Sequence, residues 1–433
     1  MIANLLSGVA LPVFLLLTGA YFTAVLAPLM LRHPRRIWGG IKEQGSAGGT
    51  SPTRALAVAL AGTLGVGNIA GVATAIALGG AGAVFWMWVA AALAMTLKYA
   101  EIVLALATRK AGARTHGGAM YYIKEGFGGG VGRALAALFA VLCVLLALTL
   151  GTMLQANAAA EALSVGFGLS PLGVGGIMGV LAVFLLARGA RRVESACAAL
   201  VPFACLAFCV LSVAVLIVRR EAVGAAFLRI FRGAFTLKSG TSGVLGFFTG
   251  GAVRYGVSRG LVSNEAGCGT APIAHAASNA KSPAQQGFWG IFEVFVDTIL
   301  LCTLTALVIL VSGVEVTGGG VASAMGAFGA VLGGVAPPLV ALLVALFAFA
   351  TVLCWSHYGL EALSYLTRSH SVARIFLVGV ALATAFGAVA APTLVWDLTD
   401  TVLALMTLLN LAALWRSRRR IKAETAAFFE GML

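Results

Sequence analysis

Gly62-Thr63-Leu64-Gly65-Val66-Gly67-Asn68-Ile69-Ala70-Gly71 lies in the middle of an apolar run, 55–78, long enough to cross a bilayer. Each of its glycines costs about 1 kcal/mol in a helix interior relative to alanine, so a continuous helix is disfavoured here. At membrane depth the freed N–H and C=O groups need partners, and irregular backbone persists only where it lines a cavity or is buried in protein. A helix that breaks at mid-depth and carries Thr63 and Asn68 reads as half of a binding site, as in secondary transporters. Close packing along a small-residue seam would account for Gly67 and Gly71. It does not account for Gly62, Gly65, Gly67 and Asn68 together, which share no single face. A nucleotide-binding loop is excluded as well, because the spacing is GxGxxxG and no βαβ pattern surrounds it.

Composition agrees with a membrane setting. Of 433 residues, 60% are hydrophobic and only 10% charged, against about 25% charged in a soluble domain. The net charge of +14 is spread in short clusters between apolar runs, the pattern of loops facing anionic membrane lipid. No contiguous basic face suits a nucleic acid. The seven cysteines form no CxxC pair and fall mostly in apolar runs, where free thiols act as small hydrophobes. The first apolar run has no basic residues before it and ends at Arg32-His33-Pro34-Arg35-Arg36, which marks a membrane crossing with a stop-transfer flank and not a cleaved leader.

The pattern predicts an all-α polytopic protein of about eleven transmembrane segments. They lie near 5–31, 55–79, 83–107, 134–163, 171–187, 195–218, 243–271, 287–313, 335–364, 372–391 and 394–415, and are called segments one to eleven below. The connections 222–242 and 314–334 leave room for short surface helices. Basic residues follow every odd-numbered segment: Arg32 to Arg36, Arg109 to Arg114, Arg188 to Arg192, Lys281, Arg368 and Arg416 to Arg420. That places the N-terminus outside and the C-terminus in the cytoplasm. Arg219, Arg220, Arg229 and Arg232 run against the rule and are outnumbered.

Set aside one extra N-terminal helix, and ten segments divide into five plus five. The expected organisation is residues 1–48 for the extra helix and its loop, 49–221 and 222–415 for two inverted repeats, and 416–433 for a cytoplasmic tail. Segment seven, first of the second repeat, is also interrupted, at Gly250-Gly251 within Phe248 to Gly260. Broken segments at matching positions of two inverted halves point to a transporter's binding site. Segments two and seven therefore supply the site, with substrate held at their unwound centres.

The stretches GTLGVGNIAGVATAIALGGAGAVFWMWVAA (62–91), LKYAE (97–101), GGAMYYIKEG (117–126), RGLVSNEAGCGTAPIAHAA (259–277), QGFWGIFEVFVDTILLCTLTALVIL (286–310) and WSHYG (355–359) resemble the alanine or glycine:cation symporter family, over about residues 50 to 410. The resemblance implies sodium-coupled uptake of small neutral amino acids through the five-plus-five inverted-repeat fold of the neurotransmitter:sodium symporters, in a bacterial inner membrane. The chain departs from that family at Val66, Ala81 and Ala350, where the family carries threonine, proline and serine.

An amino-acid substrate presents a carboxylate, which suits the N–H groups at the start of a half-helix. Backbone from Gly65 through Val66 to Gly67 would supply them, with Thr63 adding a hydroxyl and Val66 lining the pocket. Gly250 and Gly251 carbonyls would meet the ammonium, and Trp355 would wall the side chain. Gln155 matches a family glutamine and would contact the substrate, while Asn157 beside it is a second mid-membrane amide. By analogy with the related fold, one sodium ion would take Thr63 and Asn68. A second would take the carbonyls of Ala61, Leu64 and Phe347 with the Thr351 hydroxyl, since hard cations favour oxygen cages. No other cofactor is implied.

The remaining ionisable residues are read as follows. Lys98 and Glu101, spaced i, i+3, suggest a local ion pair. Glu293 and Asp297 share a helix face and could carry protons, which makes a proton-coupled transporter of the same fold, for another small solute, the alternative reading. Asn264, Glu265 and His275 read as structural or gating contacts, and His357 and Glu361 stand i, i+4. Neither HExxH nor GxSxG occurs, so an intramembrane hydrolase is not indicated. Sequence alone leaves the oligomeric state open.

Overall fold

The computed structural model describes residues 11–43, 45–46, 49–110, 117–235, 251–316 and 319–430, and its regular elements are helices. Seven are long and apolar enough to cross a membrane: Leu11–Arg32, Ala83–Thr108, Gly129–Phe167, Ala190–Val218, Pro283–Ser312, Ala336–Leu366 and His370–Val389. Segment two makes an eighth from two pieces, Pro52–Thr63 and Val66–Gly79, bent by 62°. Three of the eleven expected crossings differ from this pattern. Pro171–Ala187 has 17 residues, roughly 26 Å of helix and short of the hydrocarbon thickness. Segment seven is described only from Gly251 and comes in two short helices, Gly251–Asn264 and Ala271–Ala276. Pro392–Arg416 is long enough at 25 residues but opens with Thr393, Asp397, Thr399, Asp400 and Thr401.

Local sequence explains where the helices begin. Ser51, Ser170 and Ser282 accept bonds from the N–H groups of Arg54, Gly173 and Gln285, and each is followed by proline. A capping hydroxyl answers one orphan N–H, while proline at the next position has none to orphan. Segments three, eight and nine are mostly buried, whereas segments one, six and ten expose most of their surface. The buried segments supply Lys98 and Glu101, Glu293 and Asp297, and Thr351 and Trp355 to the polar clusters described below.

Short helices gather at the two ends of the bundle. At one end, Pro34–Lys42, Ala119–Phe127 and Arg418–Glu430 meet the ends of segments three and eight. There Phe428 packs on Phe288 (ring centroids 5.4 Å apart), Arg36 donates to the Phe429 carbonyl, and Arg420 pairs with Glu125. At the other end lie Arg220–Ala234 and Gly320–Leu332, the helices for which 222–242 and 314–334 left room. Trp86 Nε1 donates to the Ala234 carbonyl (2.9 Å), and Glu161 Oε1 accepts from Ala322 N (3.1 Å).

Candidate functional site

Segment two breaks where its glycines fall. The helix from Pro52 ends at Thr63, one 3₁₀ turn covers Val66–Asn68, and helix resumes at Ala70. The N–H of Val66, freed by the break, donates to Gln155 Oε1 (3.1 Å). A side chain on Gly65 would place its Cβ 2.7 Å from that oxygen and 2.9 Å from Thr351 Oγ1, so glycine is required for this approach. Gly67 packs against the Ser263 backbone. Val66 is buried, and the Thr63 hydroxyl turns back to the carbonyls of Ala59 and Leu60 (3.4 Å each). Gln155 follows a π-turn, Thr149–Met153, in segment four, and such turns re-aim side chains at functional sites.

Two oxygen clusters flank the break. In the first, Thr351 Oγ1 stands 2.8 Å from the Ala61 carbonyl and 3.0 Å from that of Phe347, so three of the four groups expected at one cation site are gathered. In the second, Asn68 Nδ2 donates to Asp297 Oδ1 (2.7 Å) and to the Asp297 carbonyl (3.0 Å). Asp297 Oδ2 accepts from Ser263 Oγ (2.8 Å) and Thr298 Oγ1 (2.6 Å). Asp297 is fully buried, and Asn68 Oδ1 is buried with no hydrogen-bond partner among the described residues. A second π-helical stretch, Phe295–Cys302, carries Asp297.

The described part of segment seven begins at Gly251. Gly250 lies outside the described residues. From Gly251, the first described residue of the segment, an uninterrupted helix runs to Asn264, and Gly251 packs on Leu78 and Gly79, at the far end of the helix Ala70–Gly79 from the first break. The described interruption comes at Glu265 to Thr270, where Glu265 takes φ 53° and Gly267 and Gly269 take φ 88° and 80°. Glu101 Oε1 accepts from Gly269 N (2.9 Å) and from Asn410 Nδ2 (2.5 Å), and Asn410 donates to the Gly267 carbonyl as well (2.8 Å). Glu265 Oε2 accepts from Thr270 Oγ1 (2.8 Å), while its Oε1 accepts from Trp355 Nε1 (3.0 Å). The same indole N–H reaches the Gly62 carbonyl (3.3 Å), so the two breaks meet across Trp355.

Other side chains answer differently from their spacing. Lys98 pairs across the bundle with Glu293 (2.9 Å) and not with Glu101. Glu293 also meets His275 Nε2 (3.1 Å), whose Nδ1 meets Gln286 (2.7 Å). Glu293 and Asp297 therefore belong to separate clusters despite their i, i+4 spacing. Asn157 donates to the carbonyls of Gly387 and Ala390 (3.0 and 2.9 Å), a tie between segments four and ten. His357 and Glu361 line a cavity of about 400 Å³ bounded by Leu186 to Val193 and by segments nine and ten.

Residue spacing did not find Asp297 and Ser263 as partners of Asn68, because that contact joins three segments. It also underrated Glu265, although Asn264-Glu265-Ala266-Gly267-Cys268-Gly269 repeats the Gly-x-Gly and asparagine density of the first break.

The profile of the sodium:alanine symporter family matches residues 1–431. The chain is 36% identical over 399 residues to the sodium/alanine symporter AgcS of Methanococcus maripaludis, covering 90% of this chain and 86% of that protein. It is 34% identical to the amino-acid carrier protein AlsT of Bacillus subtilis, covering 86% and 78%. To the probable sodium/glutamine symporter GlnT of the same organism it is 33% identical, covering 96% and 87%. Among solved structures, a manganese transporter of Eremococcus coleocola superposes with TM-score 0.53 at 14% identity, over 84% of this chain and 76% of that one, a likeness of fold alone.

Proposed function

The chain belongs to the sodium:alanine symporter family, and from that premise we propose that it imports a small neutral amino acid, alanine or glycine, held between the two broken segments. It is a multi-pass membrane amino-acid symporter, not an enzyme, and sodium is its coupling ion. The observation that carries the site assignment is the Asn68–Asp297–Ser263 cluster. A buried carboxylate without a cation is costly, and the one lysine nearby, Lys98, is already paired with Glu293. A sodium ion among Asn68 Oδ1, the Asp297 carboxylate, Ser263 Oγ and the Thr63 carbonyl would balance that charge with hard oxygen ligands. A second would sit among the Ala61, Leu64 and Phe347 carbonyls and the Thr351 hydroxyl.

The substrate carboxylate would take the N–H groups from Gly65 to Gly67 in place of Gln155 Oε1, at the positive end of the helix Ala70–Gly79. Gln155, released, would turn its amide to the substrate, and Val66 and Trp355 would bound a small side chain. Alternating access would come from two repeats, 49–221 and 222–415, rocking about the breaks. The N-terminus would lie outside a bacterial inner membrane and the C-terminus inside, with the basic clusters at the end carrying Pro34–Lys42 and Arg418–Glu430. Proteoliposomes given an inward sodium gradient should accumulate labelled alanine or glycine, and absence of accumulation overturns the proposal.

Proton coupling for a different small solute is a second reading. It is favoured by Glu101 and Glu265, buried carboxyl groups held by hydrogen bonds and, among the described residues, by no ion pair. Replacing sodium by choline at a fixed proton gradient separates the two, since only the proton-coupled protein keeps its uptake.

A further inference from the structure

We propose that Glu265 is a positioning residue that fixes the Trp355 indole beneath the first break and so sets the largest substrate side chain the site admits. The inference rests on the placement of substrate beside Gly65 and Val66. Three elements close around that space. Segment two contributes Gly62 and Gly65, segment four contributes Gly151 and Gln155, and segment nine contributes Thr351 and, one turn on, Trp355. Gly151 presses on the Trp355 backbone side, where any side chain would come within 2.2 Å of the Trp355 Cβ. The root of the indole is therefore fixed by packing. Its outer edge is fixed by one N–H, shared between Glu265 Oε1 (3.0 Å) and the Gly62 carbonyl (3.3 Å).

The backbone at Glu265 points to a use for the side chain. Its φ of 53° is in the left-handed region that glycine enters without strain, and Gly267 and Gly269 occupy the same loop. A bulky non-glycine residue held there persists only where the surroundings over-determine it, and such positions gather at functional sites. Glu265 is buried, with one donor on each carboxyl oxygen: Thr270 Oγ1 from its own loop and the indole from segment nine. The Thr270 bond alone would staple the loop. The Trp355 bond additionally ties the second break to the wall of the first.

The test is the alanine-to-leucine ratio of uptake efficiency (kcat/KM) in proteoliposomes of the full chain. Removing an indole tether loosens one wall by less than a residue, and pocket discrimination of that size is worth about tenfold or more. Glu265→Ala and Trp355→Phe should each lower the ratio by about tenfold, and the double variant should fall no further than Trp355→Phe alone, because that change already removes the bond that Glu265 accepts. Glu265→Gln, whose amide oxygen still accepts from the indole, should keep the wild-type ratio even where its rate falls. A Glu265→Ala protein that slows alanine and leucine equally, or a double variant whose effects multiply, overturns the proposal. Uptake of alanine that ignores sodium in the wild type would sink the coupling assignment while leaving the ratio readable. A wild type that neither binds nor transports any amino acid removes both.

Discussion

Replacing Asp297 by asparagine keeps the shape of the second cluster and removes its charge. Asn68 and Thr298 already reach the carboxylate at 2.7 and 2.6 Å, with Ser263 at 2.8 Å, so an amide of the same size retains part of the hydrogen bonding. What it loses is attraction to the ion. At an effective dielectric of about 20, unit charges roughly 2.4 Å apart gain about 7 kcal/mol before desolvation. Losing one partner of a buried charge pair commonly costs about 2–5 kcal/mol after desolvation is counted. Sodium affinity should therefore fall by roughly 30-fold or more. Stability should move the opposite way without sodium, because the variant no longer buries an uncompensated carboxylate. The assay is thermal unfolding of purified protein against a sodium series, with potassium holding ionic strength. The wild type should gain stability as sodium rises, by linkage to the folded state. Asp297→Asn should start higher and gain little. If its half-saturating sodium concentration lies within about threefold of wild type, a difference below 1 kcal/mol, Asp297 does not ligate the ion.

Four further outcomes follow, three of them from distances at the first break. Gly65→Ala should abolish uptake and lower stability by about 1–3 kcal/mol, seen as transport loss with a reduced melting temperature, since its Cβ lands against Gln155 and Thr351. Thr351→Val should weaken sodium dependence of uptake by about tenfold and Thr351→Ser should restore it, because a hydroxyl near 3 Å from two carbonyls is replaced by a methyl that ligates nothing. Gln155→Ala should weaken alanine binding measured by titration. Asn157→Ala should leave that binding alone and cost about 1–2 kcal/mol of stability, because Asn157 serves the carbonyls of segment ten.

Features decided within one segment were legible in the sequence. The first break follows from glycine density in hydrocarbon, and helix starts follow from Ser-Pro pairs. The features that were missed need three-dimensional adjacency. Lys98 and Glu101 are i, i+3, yet Lys98 turns to segment eight and Glu101 to the second break. Local spacing prices a pair at a few tenths of a kcal/mol, whereas a buried carboxyl near unpaired backbone N–H groups answers a far larger demand. The second break was expected at Gly250-Gly251 because glycine and polar residues interrupt the apolar run Phe248 to Gly260 at the position matching segment two. A glycine can equally serve close approach, and Gly251 does so against Gly79. The loop at 265–270 places its glycines where φ is positive, a requirement that composition does not distinguish from packing.

The two breaks solve the same backbone problem with unequal firmness, and the difference says which one a ligand can enter. At the first, the freed Val66 N–H rests at 3.1 Å on one neutral amide oxygen, that of Gln155, whose amide nitrogen donates to the Leu150 carbonyl (3.2 Å) one turn back in its own segment. At the second, Gly269 N–H rests at 2.9 Å on Glu101 Oε1, which Asn410 also holds, and Asn410 is itself fixed by Tyr122 and the Gly267 carbonyl. Displacing Glu101 would disturb four groups in segments seven and eleven and the short helix Ala119–Phe127, whereas displacing Gln155 disturbs the Val66 N–H and the Leu150 carbonyl. On the proposed binding mode, a substrate carboxylate would replace Gln155 at the Val66 N–H, while Gly269 N–H stays held by the Glu101–Asn410 network. In that mode, segment two would be the exchangeable half of the site and segment seven its anchored half, with ligand contacts concentrated on Gly65 to Asn68 and the change passed to segment seven through Glu265 and Ser263.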